Sequence, residues 1–334
     1  MESLHPATMA AQALGWVDES TKALIPPVHP STTFIRDPDN QYRTGYSYGR
    51  PTNPTFVQPE ALLTKLEGGA ACLTFASGMA AATAVFLALR PGDHVVAPQV
   101  MYWGLRNWLK NSAAERGVVV DFVDAGATDA LAAAVQPGRT KLIWIETPAN
   151  PTWAITDIAA AAEIAHGAGA RLAIDSTVAT PVLTQPIELG ADIVMHSATK
   201  YLNGHSDVVA GALVAARHDE LWERIAAIRA GNGAILGLLR GLAAPARHAH
   251  AAFARGTLLP NGTGDRRTFC RSSPHRRCAL SRLARPSGSR RRGAPDAWRL
   301  RRDAQHSRRR WGECRDRGGR AGNRMEASDF ARRR

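Results

Sequence analysis

Between residues 94 and 216 the chain repeats one pattern, an apolar run of strand length followed by a polar or alanine-rich stretch. The runs are HVVAPQV, GVVVDFVDAG, KLIWIET, RLAIDST, ADIVMHS and VVAGALVAA. They are apolar in near-continuous stretches rather than at alternate positions, which requires burial on both faces. The stretches Asp157 to His166 and Asp219 to Arg229 have helical period. Strands of this kind alternating with helices predict an α/β domain around a mainly parallel sheet, with helices on both faces. In such sheets ligands bind beyond the carboxyl ends of the strands, so the residues that follow each run are the candidates for chemistry.

With 334 residues and 45% hydrophobic content the chain is long enough for a sizeable core and two domains. Its net charge of +13 is unevenly held. Residues 1–237 carry 16 Lys+Arg against 22 Asp+Glu, whereas residues 238–334 carry 26 Arg, no Lys and 7 Asp+Glu. The main organisational boundary therefore falls near Gly237. The opening MESLHPATMAAQALGWVDES has early acids and no apolar core flanked by basic residues, so no secretory leader is expected. The most apolar window, Ala70 to Leu89, is broken by Thr74, Ser77, Gly78 and Thr83 and reads as a buried helix rather than a membrane span. Four cysteines without zinc spacing, three of them beyond residue 269, suggest a reducing cytoplasmic setting and no disulfide framework. His196 and His205 lack partners at metal-ligand spacing and read as structural, so no metal is expected.

Four strand ends carry polar residues. KLIWIE runs into Thr147-Pro-Ala-Asn150-Pro-Thr, RLAI into Asp175-Ser-Thr177, ADIVM into His196-Ser-Ala-Thr-Lys200, and HVVAPQV into Met101-Tyr102-Trp103-Gly104. A fifth element, Phe75-Ala-Ser-Gly-Met79, starts a helix with Ser and Gly, where free backbone N–H groups face an anion. Together these supply an amine, an acid, an aromatic face and a phosphate cradle. A phosphorylated heteroaromatic aldehyde requires that set: a lysine for a Schiff base, an acid to hold a pyridinium proton, a ring to stack and donors for the phosphate.

The strings YGRPTNPT (48–55), LEGGAACLTFASGMAA (66–81), ETPANPT (146–152), AIDST (173–177) and HSATKYLNGHSDVVAGA (196–212) carry a resemblance to a known family. In order and approximate spacing they resemble the pyridoxal-phosphate (PLP) enzymes of cysteine and methionine metabolism. That family includes cystathionine γ-synthase, the cystathionine β- and γ-lyases, methionine γ-lyase and the homoserine sulfhydrylases. The resemblance implies a fold-type-I PLP-dependent transferase with an aspartate-aminotransferase-like large domain. It implies that Lys200 is the Schiff-base lysine and moves the α-proton, that Asp175 pairs with the pyridine nitrogen and that Tyr102 stacks on the ring. Ser77, Gly78, Met79, Ser197 and Thr199 match the phosphate site, with Thr177 among the cofactor contacts and Asn150 near the ring hydroxyl. Tyr48 and Arg50 match a pair that reaches a neighbouring subunit's phosphate, which implies a homodimer or homotetramer. The implied substrate is a sulfur amino acid or activated homoserine, undergoing β- or γ-elimination or γ-replacement. The family usually has Gly-Gly-Thr after the stacking tyrosine, whereas Trp103-Gly-Leu follows here.

Taken singly, several of these residues have a plainer reading. A lone lysine at a strand end is more often exposed to solvent, Asp175 alone reads as a turn cap, and Tyr102 alone as core packing. Tyr48 and Arg50 can be a solvated loop pair, Ser77 to Met79 can merely begin a buried helix, and a turn beside Pro151 accounts for Asn150 as well as a cofactor contact does. It is their occurrence together that favours the cofactor site.

The resemblance spans about residues 20–237 and stops there. The last 97 residues contain no Val, Ile or Tyr, so strands are poorly supported and little core can form. One reading is a basic segment that grips nucleic acid, since SGSRRRGAPDAWRLRRDAQHSRRRW has arginine clusters and two tryptophans. The other is out-of-frame translation. Codons consistent with Leu239 to Arg255, read one nucleotide later, spell FEAWLLLRGMRTLHSR. The same shift permits IAEHFA over Asp265 to Arg271, and YPGLP, any residue, then HP over Leu280 to Gly288. All three strings resemble the family's C-terminal domain, which favours a one-frame slip between Leu236 and Leu239 over nucleic-acid binding. The expected division is an N-terminal arm over 1–45, a PLP-binding large domain over 46–237 and an out-of-frame, disordered segment over 238–334, with the small domain lost.

Overall fold

A computed structural model describes residues 6–11 and 13–238. The Arg-rich segment from Leu239 onward, with the expectations attached to it, lies outside the described residues.

Seven strands form one sheet: β1 (Ala71–Phe75), β2 (His94–Pro98), β3 (Val119–Val123), β4 (Thr140–Glu146), β5 (Arg171–Asp175), β6 (Ile193–His196) and β7 (Gly211–Ala215). Their order across the sheet is β1-β7-β6-β5-β4-β2-β3. The pairs β2–β3, β2–β4, β4–β5 and β5–β6 are parallel, whereas β7 runs antiparallel to both β6 and β1. Among the described residues eight α-helices accompany them: α1 (Pro6–Ala11), α2 (Pro54–Glu67), α3 (Gly78–Leu87), α4 (Trp103–Trp108), α5 (Thr128–Ala134), α6 (Ile158–Gly167), α7 (Thr180–Leu183) and α8 (Glu220–Asn232).

Burial on both faces, expected from the apolar runs, is visible within single strands. Leu142 and Trp144 of β4 join the core formed with α3, α4 and α8, while Ile143 and Ile145 join the opposite core with α2, α5 and α6. Successive side chains of a strand point to opposite faces, so a strand packed on both sides must be apolar throughout. The helices start where polar caps allow. Asp157 caps α6 by accepting from the Ala160 N–H at 3.1 Å, and Asp219 caps α8 by accepting from the Trp222 N–H at 3.0 Å.

The window Ala70 to Leu89 is not one helix. It divides into β1 and α3, joined by the turn at Ala76 and Ser77. The physical reason is the Ser77 cap, whose extended backbone (φ −160°) ends the strand while its side chain accepts from the Ala80 N–H at 3.1 Å to begin the helix.

The antiparallel β6–β7 pair has no helix between its strands, only the loop 197–210. That loop therefore stays at the carboxyl end of β6, and it contains Lys200. Among the described residues no helix is long and apolar enough to cross a membrane.

Candidate active site

The ends of β2, β4, β5 and β6 are consecutive neighbours in the sheet, and each leads into one of the polar loops read from the sequence. Asp175 closes β5 and is 9% exposed. Burial pushes its carboxyl above the ordinary carboxylate range, while hydrogen bonding to Thr177 and the nearby His196 pull it back. The Thr177 N–H donates to Asp175 Oδ1 at 3.0 Å, which fixes the carboxylate at the strand end. A buried acid so placed is stabilised as a carboxylate by a cationic partner, and a protonated pyridine is one.

The loops after β5 and β6 are stitched together. The Ser176 N–H donates to the Met195 carbonyl at 3.0 Å, and the Ser197 N–H donates to Thr177 Oγ1 at 2.7 Å. Lys200 follows in the turn after Ser197, with its own N–H donating to the Ser197 carbonyl at 3.0 Å. Its side chain is exposed, and among the described residues no carboxylate forms an ion pair with its amine.

Ser77, Gly78 and Met79 begin α3, where the first-turn N–H groups have no intrahelical acceptor. The cradle is closed by two glycines. A Cβ on Gly78 would come within 2.7 Å of both Cβ and Oγ of Ser197, and a Cβ on Gly211 would meet the backbone of Ser77 and Gly78. The α3 turn and the Ser197 loop can thus face each other only because neither glycine has a side chain. Thr199 also ties the loop together. Its hydroxyl donates to the Ala210 carbonyl at 3.0 Å and accepts from the Ala210 N–H at 3.0 Å, so it closes the base of the loop that bears Lys200.

Tyr102, on the loop after β2, is 44% exposed and its ring lies over Gly104, whose Cβ position is 2.8 Å from Tyr102 Cε1. Asn150 is exposed in the turn after β4. Tyr48 and Arg50 lie on the segment before α2, with the Arg50 guanidinium 5.5 Å from the Tyr48 ring centre and the arginine stem passing Gly233 at the end of α8. The structure joins them to each other through the cation–π contact, and among the described residues neither pairs with an acid.

Three residues near the site were not singled out from the sequence as functional. Glu146 closes β4 and accepts from the N–H groups of Tyr102 at 2.7 Å and Asn150 at 3.0 Å. His196 and Glu67, both wholly buried, are paired at 2.5 Å between β6 and the end of α2. The only signal for the first was a charged residue ending an otherwise apolar strand. The partners of the second are too far apart in the chain for any spacing argument.

The donor set fits pyridoxal phosphate on observations of this structure: a cradle that a Cβ would fill, a buried acid at a strand end, an exposed tyrosine ring and an amine with no acidic partner among the described residues. Comparison with known proteins agrees. The cystathionine gamma-synthase of Mycobacterium tuberculosis is 44% identical over 233 residues, covering 70% of this chain and 60% of that protein. The cystathionine gamma-lyase of Bacillus subtilis is 43% identical over 231 residues, covering 67% and 60%. The crystal structure of metB from Corynebacterium glutamicum superposes with a TM-score of 0.71 at 37% identity, over 75% of this chain and 65% of that one. The chain thus spans about three-fifths of the length of the curated relatives it matches. A family model described as Cys/Met metabolism PLP-dependent enzyme matches residues 7–242, and the chain belongs to that family.

Proposed function

We propose that residues 46–237 are the cofactor-binding large domain of a trans-sulfuration enzyme of cystathionine synthase or lyase type. It would act on a sulfur amino acid or an acyl-activated homoserine by β- or γ-elimination or by γ-replacement. The observation that carries this reading is the stitching of the Asp175 and Lys200 loops by the bonds from Ser176 to Met195 and from Ser197 to Thr177, at 3.0 and 2.7 Å. It holds an acid and an amine on adjacent strand ends. When bound, pyridoxal phosphate supplies an electron-accepting ring conjugated to the substrate α-carbon. Asp175 then holds a proton at the ring nitrogen, Tyr102 covers one ring face, and the α3 N-terminus with Ser77 and Ser197 takes the phosphate. The Lys200 amine accepts and returns protons at the substrate carbons.

The same reading includes a second copy of the chain. The segment before α2 leaves Leu24, Ile25 and Ile35 at 72%, 64% and 96% exposure, apolar surface suited to a partner subunit, and Tyr48 and Arg50 lie on it. A cytoplasmic setting is part of the proposal. So is a reading-frame slip between Leu236 and Leu239, which rests on the shifted reading of Leu239 to Arg255.

The test is reconstitution with pyridoxal phosphate. The chain should develop the visible absorbance of a lysine-bound cofactor, and Lys200→Ala should abolish it. No band in the parent chain, or an unchanged band in the variant, refutes the reading. Frame-restored protein, offered cystathionine, methionine and O-acylhomoserine, then separates elimination from replacement by whether pyruvate, 2-oxobutyrate or cystathionine appears. Sequencing the DNA through codons 230–245 tests the slip, and an unbroken frame there with the Arg-rich segment found by peptide mass mapping would overturn an assembly error.

A further inference from the structure

Glu146 has no counterpart in the contacts assigned to the cofactor, yet it joins two of the loops that make the site and stands beside Asp175 at the end of a third strand. β4 lies between β2 and β5 in the sheet, so its last residue is placed to reach the loop after β2, its own loop and the end of β5 together. Glu146 Oε2 accepts from the Tyr102 N–H at 2.7 Å, and Oε1 accepts from the Asn150 N–H at 3.0 Å. In the parallel register its backbone partner is Asp175, so the two acids point to the same face of the sheet. The side chain is 6% exposed. Tyr102 begins α4 without a side-chain cap, so Glu146 fixes the point where the stacking residue leaves the sheet.

We propose that Glu146 is a positioning residue of the cofactor site, which fixes the main chain of Tyr102 and Asn150 so that both flank the ring whose nitrogen Asp175 holds. This rests on the reading that Lys200 and Asp175 hold the cofactor. Charge-assisted bonds to backbone N–H groups are stronger than neutral ones, and both donors are used at once. Burial, and then the charge of Asp175, push the Glu146 carboxyl up to about 7, while the two N–H donors pull it back. The titratable group whose charge acts on it is Asp175 on β5, with His196 of β6 acting on Asp175 in turn. Two neighbouring buried acids do not both ionise readily, so the charge of the pair changes near neutral pH and the cofactor spectrum should change with it.

The experiment compares the full chain with Glu146→Gln and Glu146→Asp, using pyridoxal phosphate itself as the probe. An amide has one oxygen, so E146Q turns an NH2 toward one of the two N–H donors and removes the charge. The expected result is a cofactor dissociation constant raised about tenfold or more. Weaker visible circular dichroism of the bound cofactor and a displaced pH midpoint of its absorbance should accompany it. Asp192→Asn, at the opposite ends of the strands, should lower the melting temperature without these spectral changes. E146Q that folds, binds within twofold and keeps both the dichroism and the pH midpoint overturns the proposal. If E146Q does not fold, E146D decides: its shorter side chain should give the same spectral changes, and a parental spectrum overturns the proposal. A parent chain with no visible band removes the cofactor reading itself, which is a different outcome from a band indifferent to Glu146.

Discussion

Gly211→Ala tests whether close approach of main chain, rather than any polar side chain, builds the anion cradle. Gly211 opens β7, and a Cβ there would stand 2.6 Å from the carbonyl carbon of Ser77, 2.9 Å from the nitrogen of Gly78 and closer still to the Ser77 carbonyl oxygen. Even a favourable carbon–oxygen contact needs about 3.3–3.6 Å, so the turn that starts α3 must retreat by about 1 Å. All the obstructing atoms are main chain, so no rotamer change relieves the clash. Overpacking of this kind costs about 1–3 kcal/mol, equivalent to roughly 5- to 150-fold in cofactor affinity if it falls wholly on the bound site. The assay is titration with pyridoxal phosphate followed by visible absorbance, beside the melting temperature. Gly78→Ala should cost less, because rotation of Ser197 can relieve part of its 2.7 Å contact. Gly167→Ala is the control. It ends α6 with open space around it and should stabilise the chain by about 0.5–1 kcal/mol with no effect on binding. Binding within twofold and an unchanged melting temperature in G211A would refute the argument.

Further outcomes follow from buried charge. Glu146 is raised from its ordinary value to about 7, so the folded chain keeps a proton that the unfolded chain releases. Its contribution is full below the unfolded pKa and is lost as pH rises through about 7. The loss is of order 3 kcal/mol, so the cofactor-free chain should melt lower at pH 8 than at pH 5, with a smaller difference in E146Q; equal slopes would contradict this. Arg229, 4% exposed, lies 5.7 and 5.9 Å from the ring centres of Phe56 and Phe75 and 3.4 Å from Glu60. Arg229→Met should destabilise by about 3 kcal/mol by urea denaturation, because it leaves the part-buried Glu60, 19% exposed, without its cation, and adding Glu60→Gln should restore part of that. No recovery in the double variant would count against the ion pair. Asp175→Asn should weaken pyridoxal phosphate binding more than it lowers the melting temperature, since its charge is unfavourable until a cationic ring is present; the reverse order would contradict its assignment.

Much of this arrangement was legible because it is local. A strand buried on both faces shows as an unbroken apolar run, and β2 and β4 through β7 follow from that, as do α6 and α8 from their helical period, whereas β3 is equally apolar but lies at the sheet edge with none of its residues buried. The place of Asp175 at the end of β5, and of Lys200 in the loop after β6, was legible because polar residues that close or follow such a run lie at the strand ends. β1 was hidden, since Ala71–Phe75 and α3 are separated only by Ala76 and Ser77, and hydrophobicity does not distinguish a short buried strand from the helix it feeds. Glu146 was hidden for a different reason. It stands four residues before Asn150 in the same string, but its role depends on β4 lying between β2 and β5, which no local pattern records. The Thr199 hydroxyl likewise closes on Ala210 only because β6 and β7 pair antiparallel.

The most direct measurement is chemical. The reconstituted chain is reduced with borohydride, digested and mapped by mass spectrometry. The pyridoxyl mass should fall on the peptide that contains Lys200, and none should appear on Lys22, Lys65, Lys110 or Lys141, the other lysines of the chain. Label on any of those four, or no label after the visible band has formed, would contradict the account at its foundation.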